Sequence, residues 1–460
     1  MKVKIENDYI YIEGASTNYA SMLREKLSYK DKQVEYSINR MKKNIYQRNS
    51  GAIRALEKKL YGSVMMEKGD QIIVPSGFTH LIPDTADITD NRHDTGDTIS
   101  LPWQKKPFDL RDYQNEANEL MQESYRGLIN FATGLGKTLT ALHAIRRFKK
   151  KTLIICPSTG IADNFYEELC SAFGENKVGY FGNGKKKIRD ITVGIAQSVN
   201  NHITKFKEHG LGLIIIDEVH HLPADTFFTI TEELADVGRI FGLTATDFRS
   251  DGKDIMITAG CGPTLIKRDL LWGVKNKWLA KPYIIVRGIE TTGREYKSDK
   301  IKNYKEHVLK DKQMTGRIIA DCAKFIEAGK SVLCLVQEIS HGKEISEQLG
   351  LPFATSGDKN SSEYVKQLNK GKIPGLVGTA SKIGEGVDTK NVDVLVLANF
   401  TASKGPLWQN LGRGLRIHED NDQVIVLDYA PLGSKMLTRH AKQRIRYYKE
   451  ITNNIRTIDV

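Results

Sequence analysis

The sequence is poor in the residues that build stapled or extended scaffolds. Five cysteines in 460 residues, at positions 156, 170, 261, 322 and 334, are odd in number and form no C-x-x-C or Cys/His cluster. That argues against a disulfide framework, a zinc site and an iron–sulfur cluster, and fits a reducing cytosol. Only 12 prolines accompany 40% hydrophobic and 27% charged residues, which excludes collagen-like and globally disordered chains. No apolar run approaches the roughly 20 residues of a membrane span. The longest is Leu211 to Ile216. The start, MKVKIENDYIYIEG, lacks the apolar centre of a secretory leader. A cytoplasmic chain without a membrane partner is the expectation. Short-period repeats and low-complexity tracts are also missing.

What is present points to several large cores. Single cores stop growing near ~250–300 residues, so 460 residues imply two or three domains. An excess of 68 Lys and Arg over 56 Asp and Glu gives a net charge of +12. Such a balance suits a polyanion such as nucleic acid, although mildly basic proteins without that partner are common.

Residues 1–100 form a small mixed α/β unit. Val3 to Ile12 alternates as a strand pair, Met22 to Tyr61 is basic with helical spacing, and Gln71 to Pro75 is strand-like. Lys26, Lys30, Lys32, Arg40, Lys42, Lys43 and Arg48 crowd the basic stretch. Asp84 to Asp97 is acidic without apolar periodicity and is expected as an exposed linker. In residues 101–280 the runs GLINFA, TLIICP, ITVGIA, LGLIIID and GRIFGLTAT alternate with helical or polar segments. The pattern recurs in residues 281–460 with PYIIV, SVLCLV, GLVGTA, VDVLVLA and QVIVLD. The expected fold class is α/β, with two tandem parallel sheets behind the accessory unit. Arg317 to Ala328, Glu344 to Leu349 and Ser434 to Ile451 read as helices, the last with Met436, Ile445 and Tyr448 on one stripe. Lys185 to Lys187 reads as a solvated loop.

ATGLGKT, residues 132–138, lies between GLINF and the helical LTALHAIRRF. A strand, a glycine turn and a helix start gather backbone N–H groups around a phosphate, with Lys137 on the β/γ-phosphates and Thr138 on Mg²⁺. The motif in full form has Gly at 131, where this chain has Phe; a chance glycine loop is the plain alternative. LIIIDEVHH, residues 213–221, delivers Asp217 and Glu218 to the carboxyl end of a buried strand. Asp217 suits the Mg²⁺ shell and Glu218 the attacking water, against an exposed acidic turn. In QNLGRGLR, residues 409–416, Arg413 and Arg416 are three apart, on one face of a helical turn, and suit arginine fingers; a surface arginine pair is the alternative.

The ordered set LRDYQ, ATGLGKT, CPST, IAQS, DEVH, LTAT, GTASKIGEGVD and QNLGRGLR, spanning residues 110–416, resembles the motif series of superfamily 2 helicases. The resemblance is nearest to phage-encoded branch-migration motors of the UvsW type, with the XPB and RecG types more distant. It implies two RecA-like domains and an ATPase using ATP and Mg²⁺. By the same resemblance Gln114 reads adenine with Arg111 nearby, and Thr133, Gly134, Leu135, Gly136, Lys137 and Thr138 hold phosphates and metal. His220 and Gln409 link across the cleft, Thr244 and Thr246 couple hydrolysis to movement, and Asp388 supports the ribose region. Ser158, Thr159, Gln197, Ser198, Thr379 and Ser381 form the DNA track. These hydroxyl and amide types suit sugar–phosphate contacts, so binding is expected to ignore sequence. The implied protein is a monomeric 3′–5′ DNA helicase or translocase acting on forks, displacement loops and Holliday junctions in replication, recombination or repair, in the host cytoplasm if phage-encoded. An RNA helicase and an ATP-gated clamp that does not translocate remain as alternatives. Asp247 after TAT, and DKNSSEYV at 358–365 where an arginine is often found, depart from the pattern.

Overall fold

A computed structural model describes residues 1–43, 50–221, 224–245, 252–384, 389, 391–417 and 422–460. The chain divides into two compact units, one of Met1–Phe131 with Gly136–Lys267 and the other of Ala132–Leu135 with Arg268–Val460.

The first unit is built on an eight-stranded sheet. Its order is Lys185–Lys187, Val178–Gly182, Ile191–Ile195, Thr152–Cys156, Leu213–Ile216, Arg239–Thr244, Arg126–Phe131 and Thr264–Arg268. All five strands expected in this region form, and they pair in parallel. Leu213–Ile216 is buried at every position, which is why its apolar run is continuous instead of alternating. The lysine run forms an edge strand, antiparallel to Val178–Gly182 with all three side chains exposed, and not the expected loop. Charge on an edge strand is compatible with pairing and blocks further strand addition.

A second, five-stranded sheet carries the amino-terminal residues in the order Met66–Lys68, Gln71–Pro75, Tyr9–Glu13, Lys2–Ile5 and Asp87–Asp90. The expected acidic linker is therefore partly a strand, pairing in parallel with Lys2–Ile5 while its four side chains stay exposed. Main-chain pairing needs no apolar periodicity, so the sequence pattern hid it. The basic stretch is likewise interrupted: helices Thr17–Lys26, Lys32–Lys43 and Ser50–Glu57 surround a two-stranded ribbon of Ser28–Lys30 and Tyr61–Ser63. Arg48 lies outside the described residues.

This sheet shares a core with the rest of the first unit. Val3, Ile5, Ile10, Ile12, Leu23, Leu27 and Phe78 pack with Met256 and Ala259 of helix Asp254–Cys261. Gly77 permits the approach, since a Cβ there would stand 1.9 Å from the Thr258 carbonyl oxygen. Arg126 closes the joint by donating to the carbonyl oxygens of Asn7 at 2.7 Å, Ala235 at 2.7 Å and Gly260 at 2.6 Å. Burial pulls its pKa down to about 10, so the guanidinium is still charged at neutral pH.

The second unit holds a seven-stranded, wholly parallel sheet in the order Phe353–Ala354, Gly375–Thr379, Val332–Val336, Val394–Ala398, Gln423–Pro431, Lys281–Ile289 and Ile455–Ile458. Helix Lys312–Glu327 begins five residues before the expected start, where Asp311 Oδ1 accepts from the Met314 amide at 2.9 Å. Helix Lys435–Tyr448 docks through Leu437, Ala441, Arg444 and Tyr448, not through the expected Met436 and Ile445. Arg444 is the cause. Its Nε and Nη2 donate to Asp428 at 2.7 and 2.9 Å, and Tyr448 donates to the same carboxylate at 2.8 Å. A buried carboxylate needs such a counter-charge more than it needs another methyl group. No described helix is long and apolar enough to cross a membrane.

Candidate functional site

In the first unit, five neighbouring parallel strands end level with one another. Ile195 lies opposite Cys156, Ile216 opposite both Ile155 and Gly242, and Thr244 opposite Asn130. The residues singled out from sequence follow these ends in a row: Gln197 and Ser198, then Ser158 and Thr159, then Asp217 to His220, then Thr244, then the glycine loop. The carboxyl edge of an open parallel sheet is where such folds bind ligands.

The loop into helix Lys137–Phe148 has Gly134 at φ +93° and Gly136 at φ +80°. Both lie in the left-handed region that glycine adopts without strain. Gly136 occupies the N-cap position and has no side chain with which to cap the first-turn amides. Such amides and the positive end of a twelve-residue helix suit an anion. The Thr133 hydroxyl is buried and has no hydrogen-bond partner among the described residues. Lys137 Nζ lies 3.3 Å from the Phe131 carbonyl oxygen and 3.1 Å from Glu218 Oε1. The Phe131 ring is fully buried against Tyr113, with centroids 5.3 Å apart. Replacing the usual glycine by Phe131 therefore enlarges the core and leaves the turn intact.

Asp217 and Glu218 are both buried, and Glu218 has φ +44°. A left-handed glutamate costs conformational energy, of order 1–3 kcal/mol, that the surroundings must offset. His220 Nδ1 stands 2.8 Å from Thr244 Oγ1 and 3.5 Å from Glu218 Oε2. Lys137, Glu218, His220 and Thr244 thus form a continuous polar chain across three strand ends. Among the described residues no group of three or more His, Cys, Asp and Glu side chains gathers as a metal cage. The Thr138 hydroxyl and the Asp217 carboxylate are oxygen donors of the kind that would suit a hard divalent ion.

Gln114 is buried on helix Asp112–Glu123. Its Oε1 accepts from the Arg111 amide at 3.0 Å and its Nε2 donates to the Gly136 carbonyl at 3.4 Å. Arg111 donates to the Tyr113 hydroxyl at 3.2 Å. The sequence reading passed over Asn118. Its amide nitrogen donates to the carbonyls of Gln114 at 3.1 Å and Thr140 at 3.3 Å, tying this helix to the one after the glycine loop. The available signal was its place four residues after Gln114, on the same helix face.

Ser158 is the N-cap residue of helix Thr159–Phe173 yet makes no side-chain cap, and its buried hydroxyl is without a partner among the described residues. Gln197 is exposed on the short helix Ala196–Asn200 and donates to Asn201 Oδ1 at 3.2 Å, with Ser198 beside it. In the second unit Thr379 is buried at the end of Gly375–Thr379, with Ser381 Oγ 3.5 Å from its hydroxyl. Arg413 is buried in helix Lys404–Gly414, and its carbonyl accepts from the Thr389 hydroxyl at 2.6 Å. Gln409 lies on the same helix, half-buried. Arg416 falls beyond that helix, which closes at Leu415, so the two arginines do not share the expected helical face. Glycines at 412 and 414 weaken the last turn. Thr246, Asp247 and Asp388 lie outside the described residues. DKNSSEYV starts helix Ser361–Asn369, with Asp358 Oδ1 accepting from the Asn360 amide at 2.8 Å.

Residues 107–249 match the family described as type III restriction enzyme, res subunit. The putative DNA 3'-5' helicase Rad25 of Haloarcula marismortui is 28% identical over 351 residues, covering 72% of this chain and 54% of its own length. The DNA 3'-5' helicase XPB of Mycobacterium tuberculosis is 32% identical over 379 residues, covering 77% of this chain and 66% of its own. The chain thus spans about half to two thirds of these relatives' lengths. Among solved structures, the DUF1998 helicase MrfA bound to DNA shares the fold, with a TM-score of 0.59 at 15% identity, over 77% of this chain and 50% of that one. The ordered motifs, the level row of strand ends that carries them and relatives that extend across both parallel sheets agree on one assignment: this chain belongs to the superfamily 2 helicases.

Proposed function

We propose that the protein is an ATP-dependent DNA motor, a 3′–5′ helicase or translocase that remodels forks, displacement loops and Holliday junctions. The observation that carries the reading is the buried chain from Lys137 through Glu218 and His220 to Thr244. It joins a phosphate-binding ammonium to a carboxylate able to orient water, and then to a strand end. The names of the archaeal and mycobacterial relatives support DNA as the track and 3′–5′ as the direction. We take residues 1–100 as the accessory domain and 101–280 and 281–460 as the two motor domains.

In this reading the glycine loop and the Thr133 hydroxyl hold the triphosphate, Lys137 neutralises its developing charge, and Gln114 with Arg111 recognises the base. A divalent ion, when bound, supplies further neutralisation at Thr138 and Asp217. Glu218 positions the attacking water and takes its proton, while His220 passes the change to Thr244 and Thr246. Arg413 and Arg416 act as fingers, with Gln409 and Asp388 supporting them. Ser158, Thr159, Gln197, Ser198, Thr379 and Ser381 hold the sugar–phosphate backbone without reading bases.

The test compares ATP hydrolysis by the full chain with a forked DNA, a linear single strand of DNA and an RNA of the same length. Strongest stimulation by the fork, together with fork unwinding, is the expected result. Stimulation by RNA alone overturns the DNA assignment, and ATP hydrolysis without strand displacement or translocation favours the clamp.

A further inference from the structure

We propose that the exposed face of the carboxy-terminal helix, Lys435–Tyr448, is a docking surface for the backbone of a nucleic-acid duplex. The helix contains no Asp or Glu. Lys435, Arg439, Lys442 and Arg446 advance in steps of four, three and four, so they fall on one face and, at 1.5 Å per residue, span about 16 Å. All four are exposed, and with Thr438 and Gln443 they line a groove of about 560 Å³. Among the described residues none of the four forms an ion pair. The nearby Glu295 carboxylate accepts from the Lys435 main-chain amide at 3.1 Å, at the start of the helix.

That is unusual for a solvated helix face, where both signs normally alternate. Elsewhere in this chain exposed lysines do find acids: Lys30 pairs with Glu35 at 2.6 Å and Lys42 with Glu57 at 2.9 Å. His440 of the same helix is held below its usual pKa by burial first and then by the nearby cations Lys300, Arg439 and Arg444. The opposite face is fixed by the buried Arg444–Asp428 pair and Tyr448, so the row of cations is presented on a rigid support.

The shape selects the partner. Each strand of a duplex offers a phosphate every ~3.4 Å along the axis, and a straight row of cations about 16 Å long can follow that regular charge. Lys, Arg, Thr and Gln are the side-chain types that contact phosphate and sugar. No aromatic ring lines the groove, so it has no platform for stacking unpaired bases. None of the residues lining this surface belongs to the motif series. Its identification with nucleic acid, as against an acidic protein, rests on the DNA reading above.

The experiment uses the full chain and a variant carrying Lys435→Gln, Arg439→Gln, Lys442→Gln and Arg446→Gln. Binding of a duplex with a short single-stranded tail, and of the tail alone, is followed by fluorescence anisotropy across a KCl series. The expected result is a loss of tailed-duplex affinity on the order of 100-fold at low salt, with the log–log salt slope smaller by about 0.9 per cation removed. Tail-alone binding and the ATPase it stimulates should stay within about twofold of the parent. A second variant that exchanges Lys and Arg at the four positions should bind like the parent. An unchanged duplex affinity and slope in the glutamine variant overturns the surface while leaving the motor reading intact. A parent that binds no nucleic acid but is retained on polyglutamate through these four residues overturns both.

Discussion

Lys137 and Glu218 hold each other 3.1 Å apart with about a tenth of each side chain exposed, and in the proposed function a substitution at either removes a charge that acts on the nucleotide. Lys137→Ala should reduce ATP hydrolysis to below about 1% of the parent, and Glu218→Gln should do the same while still binding ATP; stopped-flow binding and steady-state turnover separate the two. Arg413→Ala should lower turnover by about 10³-fold with little change in nucleotide affinity if the residue acts as a finger. Equal losses in both would assign it a packing role in helix Lys404–Gly414. The position of Lys137 at a helix start was legible because strand, glycine turn and helix start are consecutive in sequence. For Asn118 the i+4 spacing from Gln114 was visible, but its bond to the Thr140 carbonyl 22 residues away was not, since no local rule points to that partner. A different residue sets a pH dependence. His341 is buried beside Thr315 with Nε2 3.3 Å from its hydroxyl, and burial pulls its pKa down to about 4. The unfolded imidazole takes up a proton near pH 6.5 and the folded one only near pH 4, so protonation favours the unfolded chain. Stability of the second unit should fall by up to about 3 kcal/mol as pH drops across that window. His341→Gln should flatten this part of the profile in melts between pH 7.5 and 4.5.

Among the elements, the strands were more legible than the helix faces. A strand buried on both sides is a continuous apolar run, and all ten such runs became strands. The short edges Phe353–Ala354 and Ile455–Ile458 escaped notice because pairing on one side needs only backbone, and the internal strand Val178–Gly182 because glycines at 179 and 182 break its apolar run. Helix Lys435–Tyr448 was located but rotated wrongly, since apolar periodicity cannot anticipate a buried arginine. Removing one member of a buried ion pair costs about 3–5 kcal/mol because the other is left uncompensated. Arg444→Leu should therefore lower the urea midpoint of the second unit substantially. Arg444→Leu combined with Asp428→Asn should recover much of that loss, and a double variant as unstable as the single would mean that packing, not charge, sets the penalty.

At the scale of the whole molecule, the amino-terminal five-stranded sheet is separate from the eight-stranded sheet of the same unit but shares a hydrophobic core with helix Asp254–Cys261. Deleting residues 1–97 would expose Met256 and Ala259 and take the Asn7 carbonyl from Arg126. The truncated chain should express as aggregate, and Arg126→Met should sensitise the joint to limited proteolysis near residue 100. A soluble truncated protein with parental melting behaviour would sink this prediction. The shared core was not legible from local pattern, because helix Asp254–Cys261 lies far along the chain from the amino-terminal strands it covers.

The same joint matters on the ribosome. Phe78 and Ala259 belong to one core but are separated by 181 residues. At synthesis rates of about 5–20 residues per second, the accessory strands wait roughly 10–35 s for the helix that covers them. During that interval their apolar face has no permanent neighbour, so the amino-terminal segment cannot finish folding as a nascent domain and depends on chaperone shelter or reversible collapse until the first motor sheet has emerged.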